Sequence, residues 1–142
     1  MLELKCQENA RAIAQQMKTS GGGTSGVNYS TDEQDTGLKW LDGNSIYQKT
    51  FVKDSTAIDG TLVTIDTSAL DIDECINIYG TFDRIVSSGK LTCVFNSFED
   101  AGLHSHLAYS NYNDMINFSI KLFSGEATSE QNITIMYTKS AT

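Results

Sequence analysis

Asn28–Val52 reads NYSTDEQDTGLKWLDGNSIYQKTFV, and its second half decides the fold. From Ile46 the chain alternates: Ile46, Gln48, Thr50 and Val52 fall on one side, Tyr47, Lys49 and Phe51 on the other. A period of two marks a strand whose faces meet different surroundings. Asp42-Gly43, with Asn44 following, is a strong hairpin signal because these residue types accept the backbone of tight turns. The strand entering that hairpin is expected at Leu38–Leu41. Ser30 with Glu33, and Thr31 with Gln34, each fit a capping box, so a helical turn is expected from there to Gly37. Trp40 is the only tryptophan and is expected to lie near Tyr47 across the hairpin.

The same period recurs downstream. Leu62–Ile65 is a run of β-formers. Ile76, Ile78 and Phe82 share a face around Gly80, and Leu91, Cys93 and Phe95 alternate with Thr92 and Val94. His106–Tyr112 alternates more weakly. Ile116, Phe118, Ile120 and Leu122 form one apolar side, and Ile133, Ile135 and Tyr137 another. Short strands separated by turn residues predict a mainly β chain, an antiparallel sandwich or barrel, and the form expected over residues 29–142 is a β-sandwich of jelly-roll-like type. No crossover helix lies between the strands, which argues against a parallel α/β sheet. Thr67–Glu74 is expected to form a loop or a single helical turn. The chain has no proline, so Gly, Asn, Asp and Ser must make its turns.

Ahead of the β domain, residues 1–18 predict a short α-helix rich in good helix formers. Cys6, Ala10, Ile13 and Met17 recur at spacings of four, three and four, an apolar stripe. Residues 19–28, with TSGGGTSG at Thr19–Gly26, form a Gly/Ser linker. The stripe either packs on its own domain or serves as an oligomerisation or anchoring element. The flexible tether favours the second.

Composition narrows the partners. The chain has 142 residues, enough for one domain with an appendage, and a net charge of −8. Its 10 Lys and Arg residues are scattered, which argues against binding a phosphate backbone. No apolar run is long enough for membrane insertion. The 3 cysteines, Cys6, Cys75 and Cys93, have no CxxC spacing, so buried reduced thiols are expected rather than a zinc site.

Few constellations carry chemistry. Asp71, Asp73 and Glu74 are a dense acidic cluster, but Ile76 and Phe82 stand where a calcium loop of the EF-hand type needs Gly and Glu. His104 and His106 share a strand face and form the candidate metal pair, with Glu99 or Asp100 as third ligand. No nucleophile has an adjacent base, no phosphate loop is present, and neither a catalytic residue nor a cofactor is expected. In AYSNYND, Tyr109 and Tyr112 stand among Asn111 and Asn113, rigid aromatic area beside adaptable hydrogen bonders, a combination suited to binding a glycan.

Tyr29-Ser-Thr-Asp-Glu-Gln34, Gly37-Leu-Lys-Trp40, Asp42-Gly43 and Ile46-Tyr-Gln-Lys-Thr50 together resemble a segment of phage and prophage virion proteins, close to YSTEEQVVGTWIDGKPIYRKTI. The ending Ile133–Thr142, ITIMYTKSAT, is similar to the TIRYTK close of such proteins. Asp35-Thr36 replace an apolar pair of that pattern, and Asn44-Ser45 replace Lys-Pro. The resemblance implies a fibre-type virion component: tail fibre, baseplate or head fibre. It would be a homotrimer made in the bacterial host cytoplasm, attached to other virion proteins through residues 1–18 and contacting a host-surface glycan. A head fibre or capsid decoration protein is the nearest alternative. A glycan-active enzyme or a stand-alone carbohydrate-binding module is the further one.

Overall fold

A computed structural model describes residues 30–54, 60–100 and 102–140. The expected helix 1–18 with its Cys6, Ala10, Ile13 and Met17 stripe, and the linker 19–28, lie outside the described residues. The strands are β1 (Gln34–Lys39), β2 (Ser45–Lys53), β3 (Val63–Asp66), β4 (Ile72–Val86), β5 (Gly89–Val94), β6 (Phe98–Asp100), β7 (Leu103–Ser110), β8 (Met115–Lys121) and β9 (Gln131–Lys139). A 3-10 turn, Ser68–Leu70, is the only helical element among the described residues. It satisfies the expectation for the start of Thr67–Glu74. Asp73 and Glu74, however, belong to β4 rather than to a loop.

Two antiparallel sheets result, with orders β1-β2-β9-β4-β5 and β3-β8-β7-β6. They pack face to face. Phe82, Ile133, Ile135 and Tyr137 from the first meet Ile65, Leu107, Ile116, Phe118 and Ile120 from the second in one apolar cluster. Phe95 joins the layers at the centre, with ring centroids 5.1 Å from Phe82 and 5.5 Å from Phe118. The alternating residues of the sequence therefore divide as the period requires, odd members of β7 and even members of β8 turning inward.

The Asn28–Val52 segment departs from expectation in three places. Residues 30–37 form no helical turn. The Ser30 hydroxyl accepts from the Asp32 amide at 3.0 Å, a local turn, and the strand begins at Gln34. The Glu33 carboxylate is drawn instead to the Tyr137 hydroxyl and the Lys139 ammonium, stronger partners than a backbone N–H. Second, the turn is one residue longer than an Asp-Gly pair implies. Gly43 donates to the Trp40 carbonyl at 3.0 Å, Trp40 donates to the Asn44 carbonyl at 2.8 Å, and Gly43 takes φ 85°. That is a type I turn closed by a left-handed glycine bulge. Third, Trp40 does not stack on Tyr47. Tyr47 faces inward against Tyr137, with ring centroids 6.2 Å apart. Trp40 sits on the outer face, where its indole N–H donates to Glu74 at 3.1 Å.

Asp35 and Thr36, which replace an apolar pair of the resembling pattern, direct their polar atoms to the backbone. Asp35 accepts from the Gly37 amide at 2.8 Å, and the Thr36 hydroxyl donates to the Ile46 carbonyl at 2.7 Å. They hold the irregular pairing that the ladder shows between Asp35 and Lys39.

Outward-facing residues of the larger sheet line up in cross-strand rows. One row is Gln48, Met136 and Asn77; the next is Thr50, Thr134 and Tyr79; the third is Val52, Asn132, Thr81 and Val94. The Thr50 and Thr134 hydroxyls meet at 2.8 Å. At one end of the sheet, Trp40 reaches from the β1–β2 turn to Glu74 on β4, two strands beyond β2 in the sheet order.

Ahead of β9 the chain runs back along β4. Ile85 donates to the Ala127 carbonyl at 2.7 Å, and Ala127 donates to the Ile85 carbonyl at 3.2 Å. Arg84 grips Glu126 through two nitrogens, and its guanidinium lies 5.5 Å from the Phe123 ring centroid. The buried Asp83 carboxylate gathers the Ser129 and Glu130 amides and the Thr128 and Ser129 hydroxyls.

Candidate functional site

Strand directions bring separate pieces of sequence to one end of the sandwich. The β1–β2 turn, the connection from Asp66 to Ile72 and the β7–β8 turn all lie where β9 finishes. That end carries the two most exposed large apolar residues among those described, Tyr112 at 95% and Leu41 at 92%.

The β7–β8 turn has a firm base and a free tip. The Thr67 amide and hydroxyl both donate to the Asp114 carbonyl, at 2.9 and 2.6 Å. Asp114 itself takes φ 52°, the left-handed conformation that Asp tolerates better than most residues. Tyr109 turns back toward the core, and its hydroxyl donates to the Asp114 carboxylate at 3.1 Å. Burial first, then that hydrogen bond, pushes the Tyr109 phenol up to about 12. Tyr109 is thus a buttress for the turn rather than part of its surface. Asn111, Tyr112 and Asn113 project at the tip, all exposed. Of the residues expected to contact a ligand, three are brought together and one is not.

Sequence reasoning missed Leu41, Asn44 and Asp71 as neighbours at this end. The signal available was only the order of strands, which no local pattern supplies. Asp42, Asp66, Asp71 and Asp114 make the end acidic. The nearby Lys39 bonds the Ser45 hydroxyl at 2.7 Å, and Lys139 pairs with Glu33. An acidic rim disfavours anionic ligands and leaves neutral, hydroxyl-rich ones acceptable.

His104 and His106 sit near the opposite end of β7, about 20 Å of strand away from the tip. They share the outward face, as expected. His104 pairs across the sheet with Phe98, ring centroids 5.9 Å apart, and its Nδ1 is buried with no hydrogen-bond partner. Among the described residues no three His, Cys, Asp or Glu side chains are grouped to hold a metal. The side chains of Glu99 and Asp100 lie outside the described part. Cys75 and Cys93 are half-buried in β4 and β5. Burial pushes the Cys75 thiol up to about 11, so it stays protonated and packs as a small hydrophobe.

A second cluster lies on the inner side of β2 and β9. Tyr137 is fully buried, its hydroxyl donates to Glu33, and the Lys139 ammonium stands 5.0 Å from the Tyr47 ring centroid. Burial opposes charge on Glu33, but Lys139 and Tyr137 outweigh it and hold the carboxyl below its usual range. Burial and the Glu33 bond together push the Tyr137 phenol up. Tyr137→Phe keeps the ring and removes one bond to a partly buried carboxylate. It is expected to lower stability by about 1–2 kcal/mol, read from the urea midpoint with an unchanged slope.

No family model matches the chain, and neither curated proteins nor solved structures gave a match. Among the described residues no helix is long and apolar enough to cross a membrane.

Proposed function

We propose that the chain is a structural component of a phage virion, a fibre or appendage protein whose turn-bearing end contacts a neutral host-surface glycan. One observation supports this reading above the others. The two stretches that resemble virion proteins are far apart in sequence, yet they form adjacent strands, β2 and β9. Glu33 and Tyr47 from the first stretch meet Tyr137 and Lys139 from the second in a single cluster. A resemblance spread by chance over two segments has no reason to select residues that touch. The nested pairing of β2 with β9 and β3 with β8 supports the jelly-roll-like part of the reading.

Particles purified from a host carrying the gene test the assignment. Mass spectrometry should find the chain in them, and immunogold labelling should place it on an outer appendage. A chain absent from purified particles overturns the proposal, and label spread over the capsid moves it to a decoration protein. For the ligand, Tyr112→Ala removes a side chain that contributes nothing to the core. Stability should change by less than about 0.5 kcal/mol, while binding to neutral glycans on an array is lost. Binding that survives the substitution removes Tyr112 from the site.

A further inference from the structure

The outer face of the larger sheet is unlike a solvent face. Its rows Gln48–Met136–Asn77 and Thr50–Thr134–Tyr79 contain no charged side chain, nor does the row of Val52 and Val94 beside them. In a chain with 20% charged residues, charge is absent from the middle of this face. Depletion of charge marks the centre of an interface. The residues are also covered. Gln48, Thr50, Thr134 and Thr138 are buried, and Met136 is 5% exposed, although all point away from the second sheet. Trp40, bonded to Glu74, crosses the Ile46 and Thr138 end of the face. No described strand lies over the remaining rows.

We propose that this face of β2 and β9 is the seat of residues 1–18 of the same chain, held by Cys6, Ala10, Ile13 and Met17. Three features select that occupant. The described chain begins at Ser30, whose carbonyl accepts from the Thr50 amide at 2.9 Å, so the preceding residues enter beside the middle row. Residues 19–29 span at most about 36 Å when extended, more than enough to return a helix over four strands set about 4.8 Å apart. From Ile46 to Val52 the face runs about 20 Å, and a helix over residues 2–18 is about 25 Å long. The stripe also fits the surface. Small residues, Cys6 and Ala10, allow close approach to a face of Thr and Gln, and Ile13 and Met17 supply apolar area beside Met136. The inference goes beyond the proposed function and stands independently of it. It selects packing on the chain's own domain over the tethered anchor.

Oxidation of Met136 by dilute peroxide tests the seat, because thioether oxidation follows exposure. Met115, half-buried on the other sheet, is the internal reference. In the full chain Met136 should oxidise about tenfold more slowly than Met115, at micromolar and at nanomolar concentration alike. Ile13→Asp should abolish that protection and leave Met115 unchanged, and deletion of residues 2–18 should do the same. Gln15→Asp, opposite the stripe, should have no effect. Protection that persists in both stripe variants overturns the proposal. Protection lost on dilution also overturns it, assigning the cover to a second copy. Equal acceleration at both methionines in both variants means general unfolding and overturns a local seat.

Discussion

Gly80→Ala is expected to destabilise the protein by about 3 kcal/mol, which lowers the melting temperature by roughly 10 °C in a domain of this size. Gly80 lies in the middle of β4, opposite Ile133. A Cβ there would stand 2.4 Å from the Asn132 carbonyl oxygen, 3.1 Å from the Ile133 Cα and 3.2 Å from a Phe95 ring carbon. The first two are backbone atoms of the central strand and cannot move aside as a side-chain tip can. The ring cannot retreat either, since Phe95 is wedged between Phe82 and Phe118, and its amide donates to the Gly80 carbonyl at 3.1 Å. The absence of a side chain thus creates the room in which the two layers meet. Thermal unfolding of the variant checks this. A melting temperature within a degree or two of the parent shows that β4 and β9 can separate locally without loss, and refutes the account.

Asp83→Asn is expected to remove about 3 kcal/mol at neutral pH and about 1 kcal/mol less than that at pH 3. The parent carboxylate accepts from two amides and two hydroxyls, and an amide oxygen meets those donors without the charge that strengthens each bond. Lys90, at 3.4 Å and well exposed, adds little. Burial alone would raise the Asp83 pKa, but the Ser129, Glu130 and Thr128 bonds outweigh it and hold the carboxyl well below the usual carboxylate range. The folded value is therefore the lower one. The stabilisation is fully present above the unfolded value, about 3.9, and is lost as pH falls from there toward the folded value. Glu33 and Glu126 shift in the same direction, so both proteins weaken in acid. The readout is the gap between them in urea unfolding, about 1 kcal/mol wider at pH 7 than at pH 3. A gap of constant size would mean that Asp83 acts by shape and not by charge.

What could be read from sequence follows from where contrast exists. β8 was legible because Ile116, Phe118 and Ile120 alternate with Asn117, Ser119 and Lys121. β1, QDTGLK, was placed too late because it is polar, mostly exposed and interrupted by Gly37 at φ 75°. β6 spans only Phe98–Asp100, too short to show a period. The outer face of β2 and β9 misleads in another way. Thr and Gln look like solvent positions, yet Gln48, Thr50 and Thr134 are buried. Asp83 could not be singled out, since its donors at Thr128–Glu130 lie far along the chain. At the candidate site, Asn111, Tyr112 and Asn113 were singled out from residue type, and all three stand exposed at the turn. Leu41 was missed because its place depends on strand order, and the inward turn of Tyr109 rests on a bond to Asp114 that no local pattern announces.

β9, the last described strand, occupies the centre of the five-stranded sheet, between β2 and β4. During synthesis, then, two earlier strands must wait with a gap between them. Until residues 131–139 have left the ribosome, β2 and β4 each present a bare row of amides and carbonyls, and the apolar undersides of both layers lack Ile133, Ile135 and Tyr137. The nascent chain is therefore most prone to aggregate just before residues 131–139 emerge, and the sandwich closes in an event dominated by distant pairings, the slow class of folding reactions.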